Sequence, residues 1–250
     1  MDRTSILNKQ VKKTLTFKIV MMLSTCFSLL SMQSLAAQST VEVINESYSE
    51  NQETPWKLWK KNASFSVSYR INSEANLIEV KAQARFNSTL AGFLYFIEDL
   101  SLTPQWLDNA KSSELIEEVS TNEHIFDIQF NGIWPFSARE MVVHSRYWQN
   151  KDLSIDILVK DAKETSKNQH VVRMQVLGAH WKIVPIEPNK IDITYQFMID
   201  PKGNVPQWLA KPMTLRGIWS SLQNMNAKLP KSKYQQVTKA NIKEMLEVSD

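Results

Sequence analysis

The chain has 250 residues, 29 Lys+Arg against 26 Asp+Glu, five glycines and one cysteine. The positive excess belongs to the first 36 residues, which hold Arg3, Lys9, Lys12, Lys13 and Lys18 against Asp2; the remainder carries 24 basic and 25 acidic side chains, a net of −1. That balance argues against an electrostatic grip on nucleic acid or anionic lipid, the glycine count rules out a glycine-rich phosphate loop, and a lone Cys26 leaves no intrachain disulfide.

In chain order, the basic start is followed by an uncharged, serine-interspersed apolar run from Ile19 to Leu35. Small residues at Ser34 and Ala36 fit cleavage after Ala36, so residues 1–36 are expected to be a signal peptide. A retained membrane anchor is the alternative. Cys26 is read as part of the apolar run, because Thr25 before it matches a lipoprotein box poorly. Residues 37–54 are a polar lead-in. The expected product is an exported protein, in the periplasm of a bacterium.

Trp56, Leu58 and Trp59 set bulky groups beside Lys57, Lys60 and Lys61. Phe65, Val67, Tyr69 and Ile71 then alternate with polar residues, and Ile78, Val80, Ala82, Ala84 and Phe86 answer them across an Asn-rich turn, predicting a hairpin. Ser88 is placed to cap a helix over Thr89 to Leu100, apolar nearly all round. Gln105–Leu107 and Ser113–Glu118 read as short helical pieces, with Glu98, Asp99, Glu117 and Glu118 on solvated faces. Phe126, Ile128 and Phe130 alternate in a strand. Met141, Val143 and Tyr147 oppose Val142, His144, Arg146 and Trp148 in a long one, and Leu153 to Val159 form the next. Val172 to Val176 and Trp181 to Val184 predict two further strands.

The segment from Lys190 to Leu229 organises the chain. Ile191, Ile193, Tyr195, Phe197 and Ile199 give a strand with one apolar face. In the turn that follows, Gly203 suits positive φ, Asn204 a cap and Pro206 the first helical turn. Trp208, Leu215, Ile218, Trp219, Leu222, Met225 and Leu229 recur at helical spacing over Val205–Leu229, with a kink expected at Pro212. Burying seven such side chains contributes roughly 10–20 kcal/mol gross. Residues 55–230 thus read as one α+β domain, a curved antiparallel sheet of roughly seven strands wrapped on a long C-terminal helix, followed by a polar tail over 231–250.

The four histidines, 124, 144, 170 and 180, lack metal-ligand spacing, and there is no nucleophile elbow, so neither a metal nor a catalytic residue is assigned. The aromatic and Met content fits either an ordinary core or a cavity lining.

Several motifs in order resemble the START (steroidogenic acute regulatory protein-related lipid transfer) domain family. Pro135-Phe136-Ser137-Ala138-Arg139-Glu140 resembles its Pro-x-Ser-Asn-Arg-Asp pattern. Trp56-Lys57-Leu58, Trp106, Val172-Arg173 and Gly178 with Trp181-Lys182-Ile183-Val184-Pro185 resemble its other landmarks. Asp200-Pro201-Lys202-Gly203 with Val205-Pro206-Gln207-Trp208-Leu209 resembles its signature before the last helix. The resemblance implies a helix-grip fold with a tunnel between sheet and helix. It also implies one bound sterol, phospholipid or other apolar ligand, transient contact with membranes, and no cofactor. In several relatives an arginine six residues after the motif arginine pairs with a buried acid; here that place is Ser145, with Arg146 one later. From strand and helix facing, Phe126, Met174, Tyr195, Phe197, Leu215, Trp219 and Leu222 are the expected lining, with His144 or Arg146 as a polar anchor. A monomeric lipid carrier is the leading reading. A cyclase- or aromatase-like enzyme of the same superfamily, acting on a polyketide-like substrate, is the alternative.

Overall fold

Alternating apolar residues make β2 (Phe65–Asn72) and β3 (Leu77–Asn87), which pair antiparallel around a turn with Asn76 at φ 51°. The computed structural model describes residues 54–134, 136–163 and 171–246. The expected signal peptide, the lead-in up to residue 53 and His170 lie outside them.

The remaining strands are β1 (Lys57–Lys61), β4 (Ala110–Ser120), β5 (Glu123–Phe130), β6 (Arg139–Gln149), β7 (Ile155–Asp161), β8 (Val172–Arg173), β9 (Gln175–Glu187) and β10 (Lys190–Asp200). They form one sheet in the order β1-β2-β3-β10-β9-β7-β6-β5-β4, antiparallel throughout, with β8 as a short parallel partner of β6. The helices are α1 (Leu90–Glu98), α2 (Thr103–Trp106) and α3 (Gln207–Lys228). The sheet therefore holds more strands than the seven expected. Ser113–Glu118 is strand, not helix: β5 supplies the backbone partners of β4, and pairing overrides the helix propensity of its Glu-rich sequence. Residues 175 to 187 form one strand that runs through Gly178.

The helix ends also differ from expectation. Thr89, not Ser88, caps α1, its Oγ1 accepting the Gly92 N–H at 2.9 Å. Pro206 is the N-cap of α3, and its extended backbone keeps both it and Asn204 outside the helix. Gly203 takes φ 66°, as its place in the turn demands. The helix continues through Pro212 to Lys228.

The expected helical stripe divides in two. Leu215, Ile218, Trp219, Leu222 and Met225 are buried, whereas Trp208 is 76% exposed. Trp219 packs edge-on against Trp59 and Phe65, with centroids 6.3 and 6.0 Å away, and Lys60 Nζ lies 4.3 Å over its ring. These contacts seat α3 against β1, β2 and β3, at one side of the sheet.

The polar tail is packed rather than free as far as Glu244. Tyr234 stacks on Tyr95 and donates its hydroxyl hydrogen to Asp99 Oδ2 at 2.8 Å. Lys239 Nζ donates to Glu98 Oε2 at 2.6 Å and lies 4.1 Å over the Tyr95 ring. Lys243 exchanges two backbone hydrogen bonds with the Gln149 amide. The Glu244 carboxylate accepts the N–H groups of Leu90 and Ala91 at 3.0 and 2.7 Å, a charge-assisted cap on the N-terminus of α1.

Trp219→Ala is expected to lower unfolding free energy by about 3–5 kcal/mol, while Trp208→Ala stays within about 0.5 kcal/mol. Urea denaturation of the two variants decides this; equal losses would mean that α3 is not held by Trp219.

Candidate functional site

Because α3 covers the side of the sheet near β1–β3, the concave face of β5, β6, β7, β9 and β10 is left facing a cavity of about 670 Å³. The size suits one small apolar ligand. Alternation builds its wall. On β5, His124, Phe126, Ile128 and Phe130 point in; on β6, Met141, Val143, Ser145 and Tyr147 do. Tyr195, Phe197 and Ile199 come from β10.

Strand β9 changes parity. Its register with β10 shifts between Met198↔Gly178 and Ile199↔Val176, so Leu177 is an extra, bulged residue, and it is exposed. The bulge lets Met174 and Val176 share the cavity face with Ala179 and Trp181. Trp181 stacks on Tyr195 with centroids 3.8 Å apart, and Tyr195 on Phe197 at 4.8 Å.

The helical side of the wall is lined by small residues. Thr214, Gly217 and Ser221, spaced three and four apart, face the cavity beside Ile218, Leu222 and Met225. Thr214 Oγ1 and Ser221 Oγ donate to the carbonyls of Ala210 and Gly217, four residues back, which hides their polarity. Ser221 Oγ also accepts the Asp108 N–H at 2.9 Å, tying the α2–β4 connection to α3.

Of the residues expected to line the cavity, the structure brings together Phe126, Met174, Tyr195, Phe197 and Leu222. Leu215 and Trp219 are buried in the core instead, because the cavity-facing stripe of α3 is turned from theirs. His144 and Arg146 lie outside as well. The registers of β6 with β5 and with β7 run without a shift, so strict alternation sends them to the opposite face from Ser145. There His144 Nε2 lies 2.7 Å from Glu123 Oε1 and Arg146 is exposed. Ser145, at the place where the resemblance expects an arginine, faces the cavity.

Residues that sequence reasoning passed over include Trp181, Tyr147, His124 and the carboxylates Glu98, Asp99, Asp108 and Glu118. His124 shares the alternation of Phe126, a signal present in the sequence. Glu98 and Asp99 are not free solvated groups, since Lys239 and Tyr234 hold them. Burial alone would raise Asp99, but hydrogen bonds from Ser101 and Tyr234 outweigh it and hold the carboxyl below the usual range. Burial alone would lower Lys239, but its Glu98 partner outweighs it and keeps the ammonium above the ordinary lysine value. Asp108 is pushed up by burial. Among the described residues no group of His, Cys, Asp and Glu is arranged to hold a metal ion.

A single helix gripped by a curved sheet, with an apolar cavity between them, defines a helix-grip ligand-binding domain. The START domain family model matches residues 38–239, and the chain belongs to that family. A STAR-related lipid transfer protein fragment from Xanthomonas axonopodis is similar in fold, with TM-score 0.62 and 24% identity over 70% of this chain and 98% of that one. Human STARD10 is similar with TM-score 0.59 and 18% identity over 71% and 78%. An uncharacterized protein of Pseudomonas aeruginosa is 21% identical over 131 residues, 52% of this chain; the match spans 64% of that relative, less than two thirds of its length.

Tyr195 gives the cavity a titration signature. Its exposed surface opens into the cavity, and burial pushes its phenol well above the ordinary 10.0. A raised folded-state value means the neutral phenol stabilises the fold fully below about pH 10, and this contribution is lost as pH rises through the folded value. Alkaline titration followed by tyrosinate absorbance is expected to show a late class, with Tyr147 and Tyr234 also raised by burial, from which Tyr195→Phe removes the latest tyrosine. Ionisation of every tyrosine near the free value would contradict the burial.

Proposed function

We propose that this START protein is exported and carries one sterol, phospholipid or other lipid between membranes, held in the cavity under α3. The observation that carries the reading is the mostly apolar cavity itself, lined by Tyr195, Phe197, Trp181, Met174 and Phe126 and closed on one side by small residues of α3. Transfer of a chain into it from water gains roughly 0.8 kcal/mol per CH₂, so the cavity competes with a bilayer rather than with solvent. The basic start and uncharged apolar run of residues 1–36, which read as a signal peptide, support export.

Two tryptophans support membrane contact. Trp134, in the β5–β6 connection, is 92% exposed, and Trp208 opens α3. The two segments lie at one end of the domain. Arg139 Nε donates to the Pro201 carbonyl at 3.3 Å, and Val172, which bonds the Ala138 carbonyl, lies beside Gly203. Phe130, Ile199 and Pro201 line the cavity at this same end. Exposed indoles suit the bilayer interface, where one edge is apolar and the other wet.

Native mass spectrometry of the protein purified from its own host, followed by extraction of bound lipid, tests the reading. A discrete added mass resolving into one lipid class is expected, and Ala179→Phe, which fills the cavity, abolishes it while cooperative unfolding persists. A clean apo mass with no uptake from lipid extracts would sink the carrier and bring the cyclase-like enzyme forward. Trp134→Ala with Trp208→Ala is expected to weaken vesicle cosedimentation several-fold without lowering ligand occupancy; unchanged cosedimentation would remove these residues from the membrane surface.

A further inference from the structure

The cavity is small for a lipid site, and its polarity is uneven along its length. Its strand wall runs from His124 to Phe130 on β5 and from Tyr147 to Met141 on β6, about 20 Å of each strand. A methylene group takes up about as much room as a water molecule in the liquid, roughly 30 Å³, so a cavity of about 670 Å³ holds on the order of twenty such groups. That is one long chain, or one fused-ring unit, with a compact head. A lipid with two long chains would leave the second in water, where its apolar surface gains nothing from the cavity.

The strand registers sort the wall into a polar end and an apolar end. One row across the sheet runs Phe197, Ala179, Val159, Ser145, His124, and the next runs Tyr195, Trp181, Ile157, Tyr147. All the polar side chains that these strands turn into the cavity lie in those two rows, toward the β5 start. Ser145, His124 and the Tyr195 hydroxyl have no hydrogen-bond partner among the described residues. Ser145 and His124 are direct cross-strand partners on the cavity face, so their Cβ atoms stand about 5 Å apart and one ligand hydroxyl, which both donates and accepts, reaches both. Beyond these rows the strand wall is apolar, with Phe126, Ile128 and Phe130 on β5, Met141 and Val143 on β6, and Ile199 on β10. Asp108, on the α2–β4 connection at that end, is exposed to solvent. The apolar end is the one beside Trp134 and Trp208.

We propose that the cavity takes a single-tailed amphiphile, one chain or one fused-ring unit ending in a hydroxyl, and excludes lipids with two long chains. This rests on the ligand-binding reading above and names the chemical class within it. The hydroxyl sits between Ser145 and His124, and the tail runs along Phe126 toward Phe130 and Ile199.

The test equilibrates the protein with phosphatidylcholine vesicles carrying equal amounts of monopalmitoylglycerol and dipalmitoylglycerol, then quantifies by mass spectrometry the lipid recovered with the protein. Monopalmitoylglycerol is expected to exceed dipalmitoylglycerol at least tenfold, with phosphatidylcholine only in trace. Gly217→Leu fills part of the space from α3, where an added Cβ meets only Asp108 Oδ2, at 3.5 Å. It is expected to shift the preference from monopalmitoylglycerol toward monodecanoylglycerol. Ser145→Val with His124→Phe is expected to reduce the preference for hexadecanol over hexadecane several-fold; an unchanged preference would overturn the placement of the head. Should either variant fail to unfold cooperatively, the competition on the unaltered protein decides. Two-chain lipid recovered as readily as monopalmitoylglycerol would overturn the size limit and leave a lipid carrier standing. Recovery of no lipid at all, together with an apo protein from the host, would overturn the carrier reading and this inference with it.

Discussion

The edge-on packing of Trp219 against Trp59 and Phe65 decides what the rest of the domain can be. One helix cannot cover a concave sheet of this width. Where it is anchored settles which strands are sealed and which face an empty space. With the Trp219 side of α3 seated at β1–β3, the aromatic faces of β5, β9 and β10 are left to the cavity and to α1, whose Phe93 packs against Trp181. In water such a surface would be costly to leave bare, so the cavity persists only because α1, α2 and the small-residue face of α3 roof it. The core and the binding space are therefore two outcomes of one anchoring choice.

Much of this is legible in the sequence, since period-two alternation over residues 65–86 and 190–199 is satisfied by strands with one dry face. The helix after Pro206 was equally plain from its spacing. Three things were hidden for physical reasons. The Glu-rich β4 has little local preference for a strand and takes that form only because β5 offers it backbone partners. The facing of Trp181 depends on a single extra residue at Leu177, which reverses the parity of everything after it. The pairing of Lys239 with Glu98 joins positions 141 residues apart, which no local pattern reports.

The site residues divide the same way. Phe126, Met174, Tyr195, Phe197 and Leu222 follow from alternation and stripe, and they reach the cavity wall. His144 and Arg146 attract attention by their chemistry, but the unshifted register of β6 turns both outward. Parity, not residue type, decides whether a charged group on a strand belongs to the site. That leaves Ser145 in the wall and keeps fixed positive charge out of it.

The packing of residues 234–244 holds α1 from far along the chain. The first turn of α1 is capped by Glu244, a residue made 154 positions after Leu90, and the last residue of α1 is paired by Lys239. Both contacts join α1 to residues more than 140 positions further along the chain. The two clasps on the helix that roofs the cavity thus depend on residues far from it in sequence, and a chain lacking Lys239 and Glu244 would lose both.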